Sequence, residues 1–397
     1  MQAVILCAGK STRTYPLTAE RPKPLLKVAN KTILEHNLDA LRGLVDEVIL
    51  IVGFKKEMIE DFAEKIKNRL DFKITLVEQK EQLGTGHALL AAEPCIKGRF
   101  IVLMGDNIYS SADIKNCLES GLGMLVTNTK TPEIFGTIKK GKNGFLEKIY
   151  EKTDRPPSNL ANTGLYVLDR KVFGFKTEKT VRGEIELTDM VNELAKTEKI
   201  AVVLAEGCWL PIGYPWEILD ANEYLLKKIK MKINGLVEKN ATIKGQVVIG
   251  KNTVVKNGSY IEGPVIIGEN CEIGPNCYIR AYTSIGDNCK IGNAVEIKNS
   301  VVMDSTKIGH LSYFGDSVIG FSINIGAGTI TSNLRHDCKS VRSVVKGKLM
   351  DTERKKFGAV IGDRVHTGIN TLIYPGRKIW PGLNTLPGEI VKEDKEG

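Results

Sequence analysis

An aliphatic residue recurs at every sixth position through much of the second half of this chain. A small residue follows four positions after each aliphatic one, from Ala241 to Val301. The aliphatic positions are Val237, Ile243, Ile249, Val255, Ile261, Ile267, Ile273, Ile279, Ile285, Ile291, Ile297 and Met303. Two patterns, one of aliphatic and one of small residues, would not both persist through so many hexads by chance. The pattern is a hexapeptide repeat, and it predicts a left-handed parallel β-helix with three short faces per turn.

The repeat is interrupted in the region that follows. Its register slips near Ile308 and resumes at Ile319 and Ile325. It then breaks for a polar stretch from Thr331 to about Phe357, and returns at Ile361, Thr367, Ile373 and Ile379. Because a loop that leaves a solenoid is usually functional, we expect this stretch to contribute to a site.

The first half of the chain has a different pattern, in which strand-like and helix-like segments alternate. Val48–Val52, Ile74–Val77 and Phe100–Met104 are predicted strands, and Glu57–Leu70 is a predicted helix. This alternation predicts an α/β, Rossmann-like domain with a mostly parallel sheet. With 397 residues, two domains are expected. We place them at residues 1–229, including a linking helix over 215–229, and at residues 230–397.

The composition excludes several classes of function. The net charge of +9 is spread along the chain, without the basic block and interleaved aromatics of a nucleic-acid-binding protein. No apolar stretch is long enough to span a bilayer, and the N-terminus lacks a signal region, so a cytoplasmic location is expected. The eight cysteines form no Cys-x-x-Cys pair, and neither a metal site nor a disulfide is assigned to them.

The first candidate site is the segment Ala8–Arg13, which follows a predicted buried strand at Ala3–Leu6. A glycine turn lets backbone N–H groups approach phosphate oxygens, while Arg13 and Lys23 supply charge where it develops in phosphoryl or nucleotidyl transfer. A Walker A loop is rejected because Val4 stands where that motif requires a glycine.

Together with Arg21–Pro24, this segment resembles the signature of the sugar-1-phosphate nucleotidylyltransferases. The resemblance covers about the first 215 residues. It implies that Arg13 stabilises the leaving phosphates and that Lys23 lies near the reacting ones. It also implies nucleotide-binding roles, with UTP or dTTP as the nucleotide, for Ala8, Gly9, Gln79, Gln82, Gly84 and Thr85. The two glutamines suit the donor and acceptor edge of uracil or thymine, and do not separate the two bases.

A magnesium ligand is expected at Asp106, which follows a predicted strand. A carboxylate there suits Mg²⁺, which binds oxygen and neutralises triphosphate charge. By the same resemblance, Gly136, Glu151 and Asn162 bind the sugar phosphate. Many relatives carry a second metal-binding Asp where this chain has Pro211, so another group, such as Glu206 or water, would have to serve.

The second candidate site is the run Gly309–Asp316, followed by Asn324–Thr329 and Asn333. It resembles the acetyltransferase domain of the bifunctional enzymes that make UDP-N-acetylglucosamine. The resemblance implies that His310 is the base for a sugar amine attacking acetyl-CoA, a role that imidazole suits near neutral pH. It implies an amino-sugar-phosphate site of Arg280, Lys298, Tyr313 and Asn324. Acetyl-CoA is assigned to Ala327, Asn333, Lys339 and Arg342.

The whole chain resembles the archaeal-type bifunctional sugar-1-phosphate nucleotidylyltransferase/acetyltransferases. The expected substrates are UTP, GlcNAc-1-phosphate, GlcN-1-phosphate and acetyl-CoA, with Mg²⁺ as cofactor. A homotrimer is expected, with no nucleic-acid or membrane partner. One alternative is a glucose-1-phosphate thymidylyl- or uridylyltransferase with minor or no acetyltransferase activity. Another is a non-catalytic subunit like the translation-factor exchange subunits, although the four groups Arg13, Lys23, Asp106 and His310 argue against it.

Overall fold

The computed structural model describes residues 1–175, 180 and 183–397. The chain forms two compact units. The first unit consists of Met1–Lys10, Pro22–Leu25 and Ile33–Pro211. The second unit consists of Ser11–Arg21, Leu26–Thr32 and Ile212–Gly397. Two short segments from the N-terminal part of the sequence therefore belong to the second unit.

The first unit is built on a mixed sheet whose centre is parallel. Phe100–Met104, Gln2–Leu6, Glu47–Val52 and Lys73–Glu78 pair in this order, all parallel. Antiparallel pairing extends the sheet from Phe100–Met104 through further strands. These strands are Leu160–Leu168, Thr137–Lys140, Leu146–Tyr150 and Gly123–Asn128, and Ala201–Leu204 pairs in parallel with the last of them.

Both faces of the central strands of this sheet are buried. Ala3 and Ile5 pack into one apolar cluster and Val4 into the other, as the two-residue period of a strand requires. Helices cover the sheet, and strands with apolar residues on both faces are typical of such α/β layers. The helices are Ile33–Ala40, Lys56–Ile66, Thr85–Ala92, Ser111–Glu119 and Leu187–Leu194. The predicted helix over 57–70 is shorter, because residues Lys67–Arg69 tighten into a 3₁₀ turn.

The second unit is a parallel β-helix with three faces, each a stack of short strands. The first face contains Lys232–Ile233, Val247–Ile249, Val265–Ile267, Thr283–Ile285, Val301–Val302, Val318–Ile319, Val360–Ile361 and Lys378–Ile379. The second face contains Leu236–Val237, Val254–Val255, Glu272–Ile273, Lys290–Asn293, Lys307–His310 and Asn324–Ile325. The third face contains Thr242–Lys244, Tyr260–Glu262, Tyr278–Ile279, Glu296–Lys298, Tyr313–Gly315, Ile330–Thr331, Leu372–Ile373 and Ile390–Val391. The predicted fold class is confirmed.

The aliphatic positions of the hexads point inward and stack on one another. Val237, Val255, Ile273 and Ile291 pair in register on the second face. The cysteines at small positions, Cys271, Cys277 and Cys289, are buried in the same core. At the corners, asparagine residues adopt positive φ, which a short polar side chain tolerates. They are Asn240, Asn252, Asn270, Asn276, Asn288, Asn299 and Asn370.

The register changes earlier than the sequence predicts. Ile285 pairs with Val302, so Val302 and not Met303 continues the inward column. The turn of the β-helix between them is one residue shorter than the turns before it, and the same shorter spacing relates Ile291 to Ile308 and Ile297 to Phe314. A strict six-residue count therefore fails at this turn, although Met303 is itself buried.

The polar stretch that breaks the repeat leaves the β-helix and returns to it. Its middle forms an antiparallel hairpin of Arg342–Val345 and Lys348–Asp351. Across the excursion the stacking continues, with Ile319 pairing with Ile361. The N–H of Phe357 donates to the carbonyl of Asn333 at 2.9 Å, which joins the two ends of the excursion.

Three further elements belong to the second unit. They are a 3₁₀ turn at Thr12–Thr14, a small hairpin of Lys27–Val28 and Lys31–Thr32, and the helix Glu217–Leu226. The helix is shorter than the linking helix expected over 215–229. None of the helices in the described part of the chain is long and apolar enough to cross a membrane.

Candidate active sites

The carboxyl ends of the parallel strands lie along one edge of the first unit's sheet, where the sequence places Gly9, Gln79 and Asp106. Ala8 is 3% exposed, and its carbonyl accepts a 2.9 Å hydrogen bond from Nε2 of Gln82. Gly9 is exposed, and a Cβ added there would meet no atom within 4 Å. The free space beside Gly9 leaves its backbone accessible to a ligand.

Lys23 and Asp106 form an ion pair at this edge. Lys23 Nζ lies 2.9 Å from Oδ2 of Asp106. The Lys23 side chain is 3% exposed, whereas that of Asp106 is 40% exposed. Burial raises the pKa of the neighbouring Cys7 thiol, and the charge of Asp106 raises it further. A buried ammonium therefore lies beside an accessible carboxylate, at the edge of the sheet where the sequence predicts a polyphosphate site.

The predicted base-binding residues form a hydrogen-bonded loop. Nε2 of Gln79 lies 3.1 Å from both the carbonyl of Gly84 and Nδ1 of His87. Gly84 has a φ of +100°, and an added Cβ would lie 2.5 Å from the carbonyl oxygen of Ile185, so only glycine fits. The Thr85 hydroxyl donates to Glu186 at 3.0 Å. Internal hydrogen bonds therefore hold the loop, and the amide nitrogen of Gln79 is already engaged within it.

The predicted sugar-binding residues also come together. The N–H of Asn162 donates to the carbonyl of Gly136 at 2.8 Å, and its Nδ2 donates to the Tyr166 hydroxyl at 2.6 Å. A Cβ on Gly136 would lie 3.0 Å from Oε1 of Glu151, which places the carboxylate directly beside this glycine. Burial raises the pKa of Tyr166, while its bond to Asn162 opposes and the charge of Glu151 reinforces this effect. Tyr166 was not predicted from the sequence, although it lies four residues after Asn162 in the same strand.

The donor set at Asp106 fits a hard cation only in part. Strand pairing places Pro211 opposite Asn107, beside Asp106. The backbone N–H of Glu206 bonds to Asp113, which also receives the N–H of Gly207. Within the described residues, no group of three or more His, Cys, Asp or Glu side chains could hold a metal ion. A single carboxylate fits Mg²⁺ when substrate phosphates and water supply the other oxygens, which is how this ion is commonly bound.

Arg13, the other predicted cation, lies in the second unit. Its side chain is exposed, and its guanidinium lies 5.6 Å from the centroid of the Tyr214 ring. The segment around it is fixed by the hydroxyls of Thr14 and Thr18, which both donate to the carbonyl of Ser11, at 2.8 and 2.9 Å. Tyr214 was not predicted from the sequence. Its signal there is the occurrence of two aromatic residues, Tyr214 and Trp216, just after Gly213.

In the β-helix, His310 ends a strand of the second face and lies at the corner with the third. Its imidazole is exposed, and the part of the chain that the structure describes gives it no hydrogen-bond partner. The corner is held by the Ser312 hydroxyl, which donates to the carbonyl of His310 at 2.7 Å. The imidazole is therefore available to a ligand.

Lys298, predicted for the amino-sugar phosphate, and Asn333, predicted for acetyl-CoA, both contact Asp316. Asp316 was not predicted as a site residue, although it closes the run Gly309–Asp316. Nζ of Lys298 lies 3.1 Å and Nδ2 of Asn333 lies 2.6 Å from Oδ2 of Asp316. Nδ2 of Asn333 also lies 3.3 Å from the Tyr313 hydroxyl. Burial raises the pKa of Tyr313, and the charges of Asp316 and Glu296 raise it further. The phenol therefore stays protonated at neutral pH.

The remaining predicted residues lie around this cluster or apart from it. Arg280, on the third face, is paired with Glu296 at 2.9 Å. Asn324 is exposed on the second face and forms a bridge to His366. The carbonyl of Ala327 accepts a 2.7 Å bond from the N–H of Asn370. Lys339 and Arg342 are exposed, and Arg342 begins the hairpin of the excursion.

The tip of that hairpin borders a cavity of about 340 Å³. Lys378, which is 1% exposed, forms part of the wall, and its Nζ donates to the carbonyl of Val344 at 2.5 Å. The full lining is Thr12, Tyr15, Val344, Val345, Lys346, Gly347, Lys378, Trp380 and Glu396. The basic excursion is thus in part structural, because its hairpin covers a buried lysine.

Known proteins resemble this chain over both units. Residues 2–228 match the family described as Nucleotidyl transferase, and residues 261–382 match the family described as GMPPB C-terminal domain. The Bifunctional protein GlmU of Methanocaldococcus jannaschii is 43% identical over 392 residues, which cover 97% of this chain and 94% of the relative.

A second archaeal relative and a solved structure agree with this match. The bifunctional sugar-1-phosphate nucleotidylyltransferase/acetyltransferase of Sulfurisphaera tokodaii is 41% identical, over 99% of this chain and 98% of the relative. A putative glucose-1-phosphate thymidylyltransferase from Bacillus anthracis superposes with a TM-score of 0.52 at 28% identity, covering 58% of this chain and 97% of its own. The chain therefore belongs to the nucleotidyl transferase family and, over nearly its whole length, to the family of bifunctional GlmU proteins.

Proposed function

We propose that this chain catalyses two consecutive steps of UDP-GlcNAc synthesis. In the β-helix, acetyl-CoA acetylates the amine of GlcN-1-phosphate. In the nucleotidyl transfer site, the resulting GlcNAc-1-phosphate receives UMP from UTP, and pyrophosphate is released. The observation that carries the proposal is the Lys23–Asp106 pair at the edge of the parallel sheet, in a chain that resembles bifunctional relatives from end to end.

In the nucleotidyl transfer, a phosphate oxygen of the sugar 1-phosphate attacks the α-phosphorus of UTP. A new P–O bond forms, and the bond from the α-phosphorus to the bridging oxygen of the pyrophosphate breaks. The protein must bring two anions together and stabilise the charge that develops, which is largely a task of positioning and electrostatics. Lys23 is assigned to the reacting phosphates and Arg13 to the leaving ones, while Glu151, Gly136 and Asn162 orient the sugar.

Asp106 is the proposed Mg²⁺ ligand. Its carboxylate is accessible and its chemistry suits a hard cation, as described above. When bound, Mg²⁺ would neutralise triphosphate charge. Lys23 Nζ, 2.9 Å from the same carboxylate, would supply a second positive charge for the reacting phosphates.

In the acetyl transfer, the amine of GlcN-1-phosphate attacks the thioester carbonyl of acetyl-CoA. An N–C bond forms, the C–S bond breaks, and coenzyme A leaves as the thiol. The exposed imidazole of His310 is assigned to remove the amine proton. Lys298 and Arg280 suit the phosphate dianion of the substrate, and Tyr313 and Asn324 complete the proposed sugar site. Ala327, Asn333, Lys339 and Arg342 are assigned to acetyl-CoA.

A homotrimer is the proposed assembly, built through the β-helix. An apolar column supports it, in which Ile330, Leu372 and Ile390 pair in register on the third face. These three residues are 38%, 42% and 46% exposed. Exposed apolar columns of this kind are typical of surfaces that bind another protein copy. The cluster around Asp316 lies on the same face.

A matrix of substrates tests the proposed function. The purified protein is incubated with UTP or dTTP and a panel of sugar 1-phosphates, with Mg²⁺, and pyrophosphate release is measured. Acetyl transfer from acetyl-CoA to GlcN-1-phosphate is followed by release of the free thiol. We expect turnover in both assays, with GlcNAc-1-phosphate and UTP preferred in the first. Absence of both activities would contradict the proposal.

A second candidate is a glucose-1-phosphate thymidylyltransferase with little acetyl transfer. The similarity to the Bacillus anthracis structure favours it, since that protein carries this name. The same matrix decides between the two candidates, because this alternative requires dTTP and glucose 1-phosphate to be the best pair and thiol release to be negligible.

A further inference from the structure

Arg21 links the segment Ser11–Arg21 to the β-helix through a nearly buried ion pair. Its Nη2 and Nε lie 3.0 and 3.2 Å from Oδ2 of Asp363, and its guanidinium lies 3.6 Å above the Phe321 ring. The Asp363 side chain is 5% exposed, and its other oxygen accepts the N–H of Phe321 at 3.1 Å. Because a buried carboxylate without its partner is strongly destabilising, this pair fixes the end of the segment.

The hairpin that follows has its own anchors. Nζ of Lys27 lies 3.0 Å from Asp287 and 2.8 Å from Asp304, two carboxylates on neighbouring turns of the β-helix. Burial lowers the pKa of Lys27, but the charges and hydrogen bonds of Asp304 and Asp287 outweigh it and raise the pKa overall. Nδ2 of Asn30 donates to the carbonyl of Ile285 at 2.6 Å. The hairpin is thus held on the first face of the β-helix.

The guanidinium of Arg13 lies next to a stack of aromatic rings that packs against the β-helix. The Tyr214 ring beneath it stacks on Trp216, with centroids 4.7 Å apart and planes 3° from parallel. Trp216 meets Phe357 edge-on at 6.0 Å, and Phe357 is fully buried. The stack therefore supports the proposed phosphate-binding guanidinium from below.

These contacts have a common consequence for nucleotidyl transfer. Arg13 lies in the 3₁₀ turn Thr12–Thr14, and the rest of the segment Ser11–Arg21 has no regular secondary structure, so the position of the segment depends on its side-chain contacts. In the chain, Lys23 lies between the two anchored cations Arg21 and Lys27. We propose that the β-helix positions the phosphate-binding segment of the nucleotidyl transfer reaction, with Arg21–Asp363 as the principal anchor and Arg21 and Asp363 as positioning residues.

The inference rests on the proposed function and adds a dependence between the two activities. Acetyl transfer should not need the anchor, whereas nucleotidyl transfer should need an intact β-helix. A misplacement of a positioned group by about 1 Å can lower a rate about a hundredfold. We therefore expect loss of the anchor to lower kcat of nucleotidyl transfer by roughly tenfold to a hundredfold. The KM for the sugar 1-phosphate should change little, because Gly136, Glu151 and Asn162 belong to the other unit.

The test uses the full-length chain with Asp363→Asn, which keeps shape and removes charge, and Arg21→Gln, which breaks the pair from the other side. The exchanged double variant R21D with D363R should recover part of the lost rate. The matched control is the exposed ion pair Glu20–Arg364, whose side chains are 44% and 54% exposed and which joins the same two segments. Glu20→Gln should leave kcat unchanged, because exposed pairs contribute little.

Three measurements are made on each variant, namely nucleotidyl transfer, acetyl transfer and hydrogen exchange of the amides of residues 11–21. The expected result is slower nucleotidyl transfer and faster exchange in this segment, with acetyl transfer retained. Wild-type kcat and exchange in both single variants would overturn the inference, as would equal losses in the Glu20→Gln control. If the wild type showed no nucleotidyl transfer, the proposed function would fail, while hydrogen exchange would still decide whether Asp363 holds the segment.

Discussion

At the scale of single residues, the Lys23–Asp106 pair joins a cation that is almost completely buried to a carboxylate that is accessible. Asp106 follows a buried strand, and Lys23 is part of a short 3₁₀ turn, Lys23–Leu25. Each side chain is therefore carried by backbone that packing holds in place, which is a requirement for a precise catalytic site.

Asp106→Ala should abolish most nucleotidyl transfer and leave acetyl transfer intact. The substitution removes the proposed Mg²⁺ ligand and leaves the buried ammonium of Lys23 without its carboxylate partner. Pyrophosphate release and thiol release, measured on the same preparation, check this prediction. Parallel loss of both activities in a folded protein would contradict the assignment of Asp106 to one site.

His310→Ala should slow acetyl transfer by roughly a hundredfold to ten-thousandfold, the usual contribution of a general base. The amine of the sugar must lose a proton before it attacks the thioester, and the imidazole is exposed and available for that step. Uridylyl transfer should be unaffected.

His310→Asn is the informative companion, because an amide can hydrogen-bond but cannot take up the proton. It should be no more active than His310→Ala. Near-wild-type acetyl transfer in the Asn variant would make His310 a positioning residue. Tyr313 would be a poor replacement as base, since burial and its acidic neighbours raise its pKa and keep the phenol protonated.

At the scale of elements, the hairpin formed by Arg342–Val345 and Lys348–Asp351 covers a buried lysine, Lys378. Lys378 is in the last strand of the first face, and burial lowers its pKa from 10.5 to about 8, although Asp394 and Glu396 oppose the shift. A lysine with a lowered pKa destabilises the folded state while it is charged. Its hydrogen bond to the carbonyl of Val344 compensates for part of this cost.

This buried lysine predicts an unusual pH dependence of stability. Between pH about 8 and pH 10.5 the unfolded chain binds more protons at Lys378 than the folded chain does, so the free energy of unfolding rises with pH across this window. One pKa unit corresponds to about 1.4 kcal/mol, which puts the rise on the order of 3 kcal/mol at most.

The measurement is a series of Tm values for the wild type and Lys378→Met between pH 7 and pH 10. The wild type should gain Tm relative to the variant as the pH rises. Lys346→Met, at the exposed hairpin tip of the same cavity, is the control and should behave like the wild type. A constant Tm difference between the wild type and Lys378→Met would show that Lys378 does not titrate in this range.

In the β-helix, some features could be predicted from the sequence and others could not. The stacked core follows from the hexads, because inward positions must be apolar at a fixed spacing in every turn. The one-residue change at Val302 does not follow, because corner geometry rather than hydrophobicity sets the length of a turn. The cluster around Asp316 was also hidden, since no sequence pattern says that Lys298 and Asn333 meet the same carboxylate from different turns.

At the scale of the whole molecule, the family and the fold class could be predicted from the sequence, and the pairing of two activities agrees with the names of the relatives. The division into units could not be foreseen in detail. Arg21 and Asp363 are separated by 342 positions, and a charge pair at that distance has no periodic signal in the sequence. The roles of the individual site residues stay predictions.

The protein should be a homotrimer in solution. Multi-angle light scattering should give three times the mass of one chain, and Leu372→Asp, in the centre of the exposed column, should shift the protein toward smaller species by placing charge in an apolar contact. Because the side chain is 42% exposed in the single chain, the substitution should not disturb the β-helix itself. A wild-type monomer with full acetyl transfer would contradict this prediction.

The joined ends of the excursion between Asn333 and Phe357 have a consequence for the history and engineering of this molecule. Strand stacking passes across the excursion as though it were absent, from Ile319 directly to Ile361. The number of residues in the excursion therefore does not affect the regular stacking of the β-helix. Residues can therefore be inserted or removed at this junction during evolution or in protein engineering. The hairpin could be gained, exchanged or shortened there while the stacked strands of the β-helix stay unchanged.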